Sequence, residues 1–337
     1  KEIARIVREA LEGKRIETFP PKCELPLEGE RVQSTPSYFS YLKIAEGCDN
    51  HCTYCAIPLI RGGYRSRKME DILAEAEKLA QWGVKELMVI AQDTTRYGED
   101  LYGEGKLPQL LTELCKVERL RWIRVLYCYP ERITDELLEV MAKEDKILKY
   151  MDLPLQHCSR QVLRAMNRQG DRESLSALIR KIREKVPGIV LRTTFMVGFP
   201  GETEEAFEEL AEFAKEMRFE RMGCFAYSQE EGTPAARLPD QISREIKEHR
   251  QELMMEQQMA LMDEMSREMV GKTITVLNEG WDRYAECCFG RSAADAPEID
   301  TKVFFTVEGK KPYPGMFVQV EITDTMDCDL IGQVVTT

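Results

Sequence analysis

The sequence predicts an α/β protein with two parts: a partial barrel of six strand–helix units around a parallel sheet, then a small five-stranded antiparallel β-barrel. The first part is predicted because short apolar runs alternate with amphipathic segments between residues 38 and 229. The second part is predicted because short β-type runs, separated by turn residues, follow Gly271. We therefore expect a large domain over residues 34–270 and a small barrel over 271–337.

The elements of the first part follow one another in a regular order. Strands are predicted at residues 38–47, 84–93, 121–130, 150–156, 189–202 and 221–229. Helices are predicted at residues 69–83, 107–117, 134–144, 159–168, 172–186 and 203–217, and a long Met-rich helix at roughly 243–270. Gly83 suits a helix end, and Thr134 suits a helix cap. Because parallel strands end at one edge, polar residues after them are expected to form one site.

Composition restricts the partners and the compartment. The 337 residues carry a formal net charge of −12, which argues against a nucleic-acid partner because phosphate binding draws on a surplus of Lys and Arg. No apolar run reaches the length of a membrane span. The eleven cysteines are irregularly spaced, so we expect free thiols in a reducing compartment, the cytoplasm. The chain starts without Met and within a helical pattern, so it is interpreted as a fragment that lacks upstream sequence.

A cysteine loop follows the first predicted strand. Cys48, Cys52 and Cys55 form a CxxxCxxC pattern within eight residues. Structural zinc usually takes four ligands from separated pairs, and His51 lies inside the same tight turn. A cubane iron–sulfur cluster normally takes four cysteines, so three would leave one iron with an open coordination site. The pattern favours a cluster with an open site; a three-thiolate zinc site and free buried thiols are the alternatives.

This spacing at the end of a first β-strand resembles the radical S-adenosylmethionine (SAM) superfamily, whose fold is a TIM-like partial (β/α)6 barrel. The resemblance implies that Cys48, Cys52 and Cys55 hold a 4Fe–4S cluster whose open iron binds SAM. One-electron cleavage of SAM then gives a radical that abstracts hydrogen from an unactivated carbon. Tyr54 matches the aromatic residue that precedes the third cysteine and packs beside the adenine.

Further SAM-binding positions are implied by the same resemblance. Gln92 and Asp93 end the second strand, where the superfamily binds the SAM amino group. Gly198 and Glu202 lie in "VGFPGE", which resembles the SAM-binding motif of the fifth strand; a glycine there lets the backbone approach a ligand closely. A lone glycine-rich turn has a structural alternative.

Other polar residues at the same edge have weaker signals. Gln156 ends the fourth strand, and His157 beside it is more simply a structural residue. Arg192, if it faces the barrel interior, must meet a carboxylate, and that of SAM is one candidate. Three arginines after the cluster loop could hold an anionic group of the substrate or form a solvated rim: Arg61, Arg65 and Arg67.

The combined motifs look like the radical SAM methylthiotransferases. The motifs are "IPLIRGGYRSR", "LPLQ", "VLRAMNR", "VGFPGET" and, in a closing TRAM barrel, "GRSAADAPEID". The resemblance implies that SAM serves both as methyl donor and as radical source, and that a methylthio group is added at a C–H carbon. It also implies a second 4Fe–4S cluster in an N-terminal domain, of which residues 1–33 are interpreted as the truncated tail and a linker, and an electron donor such as flavodoxin.

Two substrates compete within this family. One branch modifies an adenosine in tRNA (MiaB-like), and the other an aspartate of ribosomal protein S twelve (RimO-like). The segments "QDTTRYGEDLYG" and "YCYPERITDELLE" look RimO-like. Six basic and eleven acidic residues also give the barrel segment 271–337 a formal charge of −5, which suits a basic protein partner. The sequence therefore favours the RimO-like branch; a non-catalytic, redox-sensing iron–sulfur module is a remote alternative.

Overall fold

The computed structural model describes residues 2–18, 21–24, 26–29 and 31–335. Parts of the predicted N-terminal tail and the last two residues of the predicted barrel lie outside these ranges. The helices are α1 (Ile3–Leu11), α2 (Ile57–Arg61), α3 (Met69–Gln81), α4 (Glu99–Tyr102), α5 (Leu107–Cys115), α6 (Asp135–Lys143), α7 (Arg160–Ala165), α8 (Arg172–Lys185), α9 (Glu204–Met217) and α10 (Arg244–Arg267). The strands are β1 (Phe39–Lys43), β2 (Ala45–Glu46), β3 (Arg65–Ser66), β4 (Glu86–Ile90), β5 (Trp122–Val125), β6 (Ile147–Asp152), β7 (Val190–Val197), β8 (Arg221–Ala226), β9 (Thr273–Asp282), β10 (Cys287–Ser292), β11 (Val303–Thr306), β12 (Phe317–Met326) and β13 (Asp329–Val334). No helix of the described residues is long and apolar enough to cross a membrane.

A six-stranded parallel sheet forms the centre of the large domain. Its order is β1-β4-β5-β6-β7-β8, so each strand pairs with the next one of the βα series. Along β7, buried and half-buried residues alternate, and Leu191, Phe195 and Val197 pack in the main apolar core under the helices. The predicted partial (β/α)6 barrel is confirmed, and the sheet's C-terminal edge carries the loops that were predicted to hold the site.

The concave face of the sheet packs against the C-terminal barrel. Side chains of four sheet strands, of one barrel strand and of one barrel loop form an apolar cluster on this face: Phe39, Met88, Trp122, Leu148, Tyr150, Leu277 and Ala296. Leu277 comes from β9, and Ala296 comes from the loop after β10. The barrel and its loop therefore fill the inside of the partial barrel, and the two domains share a core.

The small barrel is closed in the order β10-β11-β13-β12-β9. Four neighbouring pairs are antiparallel, but β11 and β13 are parallel, so the prediction of an entirely antiparallel barrel is wrong at this pair. The reason is one of parity. Strand directions cannot alternate all the way round a closed ring of five strands, so at least one neighbouring pair must be parallel.

A buried charge network joins the two domains beside the shared core. Glu86 is fully buried at the start of β4, and its two carboxylate oxygens accept from Arg124 at 2.9 Å and Arg291 at 2.8 Å. Arg291 also pairs with Glu279 at 2.8 Å. Burial alone would raise the pKa of Glu86, but the two arginines outweigh it and the pKa lies below its usual value. Each of these charges is stable in the interior only because its partners are present.

Replacing Arg291 by Ala is expected to destabilise the protein strongly. The change leaves Glu86 with one cation instead of two and leaves Glu279 unpaired, and breaking a buried pair typically costs about 3–5 kcal/mol in the free energy of unfolding. Urea unfolding at neutral pH measures the change. Arg267→Ala is the matched control, since its ion pair with Asp263 is exposed and should contribute less than about 1 kcal/mol.

The same pair gives a pH dependence with a definite sign. A carboxylate whose pKa is lowered in the folded state adds stability above its unfolded pKa, about 4.3 for Glu, and loses it as the pH falls. The difference between wild type and Arg291→Ala should therefore narrow below about pH 4. A difference that is small at neutral pH, or that widens in acid, would contradict this account of the network.

Candidate active site

The three loop cysteines line one cavity. The loop runs from β2 to α2, and Cys48, Cys52 and Cys55 are half-buried around a space of about 190 Å³. Gly47 enters the loop at φ +82°, and a Cβ there would lie 2.1 Å from the carbonyl oxygen of Gly63. Glycine is therefore required for the close approach of the two segments that set the loop's position.

The surroundings of the loop favour the neutral thiol form of Cys48 and Cys55. Burial raises the pKa of Cys48 to about 11, and Asp93 and the other two thiols add to the rise. Burial also raises the pKa of Cys55. In the described residues, no three His, Cys, Asp or Glu side chains converge as ligands of a single metal ion. Three thiols spread around a cavity form a donor set for a group larger than one ion.

Neighbouring elements fix the irregular loop. The Asn50 amide donates to Asp93 at 2.9 Å, after β4. Thr53 donates from its backbone N–H to the Met166 carbonyl at 3.0 Å, and from its hydroxyl to the Ala165 carbonyl at 2.7 Å, at the end of α7. Asp93 is fully buried and does not line the cavity, so in the chain it positions the loop through Asn50.

The cavity walls include three of the residues predicted as SAM contacts. Tyr54, Gln92 and Gln156 all line it. The side-chain oxygen of Gln92 is buried and has no hydrogen-bond partner among the described residues. Leaving such an oxygen unsatisfied costs roughly 1–3 kcal/mol, so it fits a ligand that donates a hydrogen bond. Three thiols and an unsatisfied acceptor together suit an iron–sulfur cluster with a SAM molecule beside it.

Gln156 is held in an uncommon backbone conformation. Its φ is +69°, and its backbone pairs with β7 through an N–H to the Thr194 carbonyl at 2.8 Å and a carbonyl that accepts from Met196 at 2.8 Å. Left-handed backbone at a residue other than Gly is costly and persists where the surroundings impose it, often in binding sites. The sequence indicated Gln156 only by its place after a strand.

A fourth thiol lines the same cavity. Cys128, just after β5, is fully buried, and burial raises its pKa well above the usual value. A buried free cysteine often acts only as a small apolar side chain. The place of Cys128 in the cavity makes it the residue to separate experimentally from the three loop cysteines.

Gly198 and Glu202 lie in a separate buried cluster. Both carboxylate oxygens of Glu202 accept from the Gly198 N–H at 3.0 Å. Arg250 of α10 pairs with Glu202 at 2.6 Å, and His157 Nε2 lies 3.5 Å from it. None of these residues lines the cysteine cavity. They connect the end of β7 to α10.

Arg192 meets carboxylates of the chain itself. Its guanidinium lies 3.3 Å from Asp152 at the end of β6 and 3.6 Å from Asp300 in the loop of the small barrel. Asp152 also accepts from the N–H of Tyr127 at 3.0 Å, and Tyr127 lines the cavity. Arg192 therefore connects the barrel loop to a wall of the cavity and does not line the cavity itself.

The three arginines predicted as substrate contacts are not equivalent. Arg67 is buried and pairs with Glu28 at 2.5 Å and Glu75 at 2.7 Å, so its charge is neutralised within the chain. Arg65 donates to a backbone carbonyl of the N-terminal segment at 2.8 Å. Arg61 is about half exposed, and a carboxylate lies 3.7 Å from its Nε. Of the three, Arg61 is the most accessible from outside.

Two protein-family models match this chain, one over the large domain and one over the small barrel. A model described as the Radical SAM superfamily matches residues 42–214, and one described as the TRAM domain matches residues 270–335. The chain is 50% identical over 333 residues to a protein of Caldanaerobacter subterraneus named ribosomal protein uS12 methylthiotransferase RimO. That alignment covers 98% of this chain and 76% of the relative. A protein of the same name from Pelotomaculum thermopropionicum is 51% identical over 338 residues, covering 99% and 76% of the two chains.

Replacing any one of Cys48, Cys52 or Cys55 by Ala is expected to abolish iron–sulfur binding, because two thiolates cannot hold a cubane at three corners. Iron and sulfide counts after anaerobic reconstitution, with electron paramagnetic resonance of the reduced sample, measure the effect. Cys128→Ala is the matched control from the same cavity and should keep wild-type iron content. Loss of iron in Cys128→Ala would mean a closed four-thiolate site and would overturn the open-iron interpretation.

Proposed function

Because the chain belongs to the radical SAM superfamily, in the methylthiotransferase family named RimO, we propose that it adds a methylthio group to the β-carbon of an aspartate in ribosomal protein uS12. The observation that carries this proposal is the single cavity lined by three loop thiols and by the unsatisfied oxygen of Gln92. The alternative of tRNA modification has less support, since the relatives named above act, by their names, on a ribosomal protein.

The superfamily implies a 4Fe–4S cluster and SAM, and Cys48, Cys52 and Cys55 are the residues that would hold the cluster. When the cluster and SAM are both bound, they would supply a radical that abstracts hydrogen. The reaction needs a radical because general-base catalysis, worth about 10²–10⁴-fold, cannot remove the non-acidic β-hydrogen of aspartate. A reducing compartment, the cytoplasm, is proposed because the eleven cysteines are irregularly spaced.

The chain's own residues bind and orient the reactants. Gln92 offers its unsatisfied oxygen to the SAM amino group, and Tyr54 packs beside the adenine from the cavity wall. Gln156 lines the same cavity with its backbone held at a φ of +69°, and it is proposed to contact SAM. Asp93 positions the cysteine loop through Asn50, and Glu202 orders the turn at Gly198. These roles make Asp93 and Glu202 positioning residues.

These 337 residues are proposed to hold one cluster. The second 4Fe–4S cluster is proposed to belong to an N-terminal domain, as the family resemblance implies. The chain spans about three quarters of the length of its RimO relatives. The electron donor is proposed to be a flavodoxin-type protein.

The small barrel is proposed to dock uS12. An apolar groove of about 350 Å³ on its surface includes Tyr284, Phe304 and Met326. Exposed carboxylates such as Asp324 and Asp327 lie on the neighbouring strand and turn. A basic protein with an apolar side chain at its contact point fits such a surface, because charges steer the encounter and the apolar contact holds it. One feature favours tRNA instead: Lys311 and Lys310 stack on Trp281 and Tyr313.

Reconstituted protein given SAM and dithionite is expected to release 5′-deoxyadenosine. The full-length enzyme, given uS12 and tRNA in parallel, is expected to increase the mass of uS12 by one methylthio group and to leave tRNA unchanged. Mass spectrometry and nucleoside analysis measure the two products. Absence of 5′-deoxyadenosine would contradict the proposal that the protein is a radical SAM enzyme. Methylthiolated tRNA with unmodified uS12 would show that tRNA is the substrate.

Neutralising the exposed acids of the barrel is expected to weaken binding of uS12. Asp324→Asn with Asp327→Asn should lower the association rate several-fold at low salt and flatten its salt dependence, because such charges act mainly on the encounter. Surface plasmon resonance at several ionic strengths measures both. The matched control is Glu205→Gln with Glu208→Gln, two exposed acids of α9 far along the chain from the barrel. Equal effects of the two pairs would show that only net charge matters.

A further inference from the structure

A second, larger cavity adjoins the cysteine cavity. It encloses about 540 Å³ and shares Asn50, Tyr129 and Arg168 with the smaller one. Its lining is unusual for a chain of net charge −12, because four arginines face it against two carboxylates. The four are Arg96, Arg132, Arg164 and Arg168, and the two acids are Asp49 and Glu131.

Two of the arginines are neutralised by the chain. Arg96 lies 3.4 Å from Glu99 and 3.8 Å from Asp49. Arg132 pairs with Glu99 as well and lies 3.6 Å from Asp93. Their charges therefore hold the loops around the cavity together.

The other two arginines make no ion pair with any described residue. Arg164 is exposed on α7, at the outer side of the cavity. Arg168 is only 7% exposed; it donates to the Pro154 carbonyl at 3.0 Å, and its guanidinium lies 4.3 Å from the Tyr129 ring centre. Glu131 shares the cavity and attracts Arg168, but it accepts from the Gln169 N–H at 3.3 Å and lies beyond ion-pair distance of both arginines. A buried guanidinium without a direct ion pair suits an incoming anion.

We propose that Arg164 and Arg168 bind a carboxylate, and that it is the side-chain carboxylate of the aspartate to be modified, which rests on the proposed function. Guanidinium groups bind carboxylates in a fixed, often two-pronged geometry. Since the β-carbon is bonded directly to that carboxylate carbon, holding the carboxylate fixes which carbon faces the cysteine cavity. A protein loop reaches the site from outside at Arg164, and Arg168 lies where the two cavities meet. The pair is thus a specificity-determining element for the carbon that reacts.

SAM also carries a carboxylate, so the test separates the two sources by binding measurements. Reconstituted full-length wild type, Arg164→Gln and Arg168→Gln are titrated with SAM alone and with uS12 alone. Each protein is also titrated with a uS12 variant whose modified aspartate is asparagine. Arg160→Gln is the matched control, one turn earlier on α7, where Arg160 pairs with Asp171. Because Arg164 is exposed, its variant keeps the test valid even if the buried Arg168 variant folds poorly.

The proposal expects Arg164→Gln to weaken uS12 binding about tenfold or more, the loss typical of a charged hydrogen bond, with the SAM affinity unchanged. Wild type should prefer the aspartate form of uS12, and the variant should lose that preference, whereas Arg160→Gln should behave as wild type. Weakened SAM binding with unchanged uS12 binding would assign the carboxylate to SAM and overturn the proposal. So would an aspartate preference that persists in Arg164→Gln. A wild type that leaves uS12 unmodified would remove the proposed function itself, whereas a wild type that modifies it without dependence on Arg164 would remove only this inference.

Discussion

The structure depends on holding three thiols apart in a loop that has no regular secondary structure. Such a loop cannot fix itself, because few of its backbone groups are paired within it. Its position comes from outside: Asp93 holds Asn50 on one side, and the carbonyls after α7 hold Thr53 on the other. The parallel sheet makes this arrangement available, since the segments that follow β4 and β6 both leave the sheet at its C-terminal edge. The chain itself therefore positions the three thiols.

The small barrel also helps to position the site, from the concave face of the sheet. Its loop fills the concave face of the sheet, and Asp300 at the end of that loop meets Arg192, which in turn meets Asp152. Asp152 fixes the backbone of Tyr127, a wall of the cysteine cavity. The interface buries ionised groups that are satisfied only when both domains are in place. The barrel is therefore part of the scaffold of the site.

The sequence predicted the elements and the loop, but not the partners of its charged residues. Strand and helix periods are local properties, so six strands, the cysteine loop and the position of Gln156 could be inferred directly. The neutralisation of Arg67 by Glu28 and Glu75, and the pairing of Arg192 with Asp300, join residues far apart in sequence and could not. The parallel pair in the small barrel could have been inferred from parity alone. The sequence offered one signal for Arg168: an arginine just after a helix, at the C-terminal edge of the sheet where the site was predicted.

Net charge was the least informative of the sequence properties, because the molecule separates its charges. Exposed acids include Asp324 and Asp327 of the small barrel. Of the two arginines without an ion pair among the described residues, Arg168 is buried where the two cavities meet, and Arg164 is exposed at the larger one. Charges of the two signs act over different distances. Long-range attraction of a basic partner needs an excess of exposed acid, and this attraction weakens with salt. A short-range contact with one carboxylate needs a desolvated cation, whose strength depends on the low local dielectric. Under the proposed function, a substrate that is basic overall and reacts at an aspartate requires both kinds of contact.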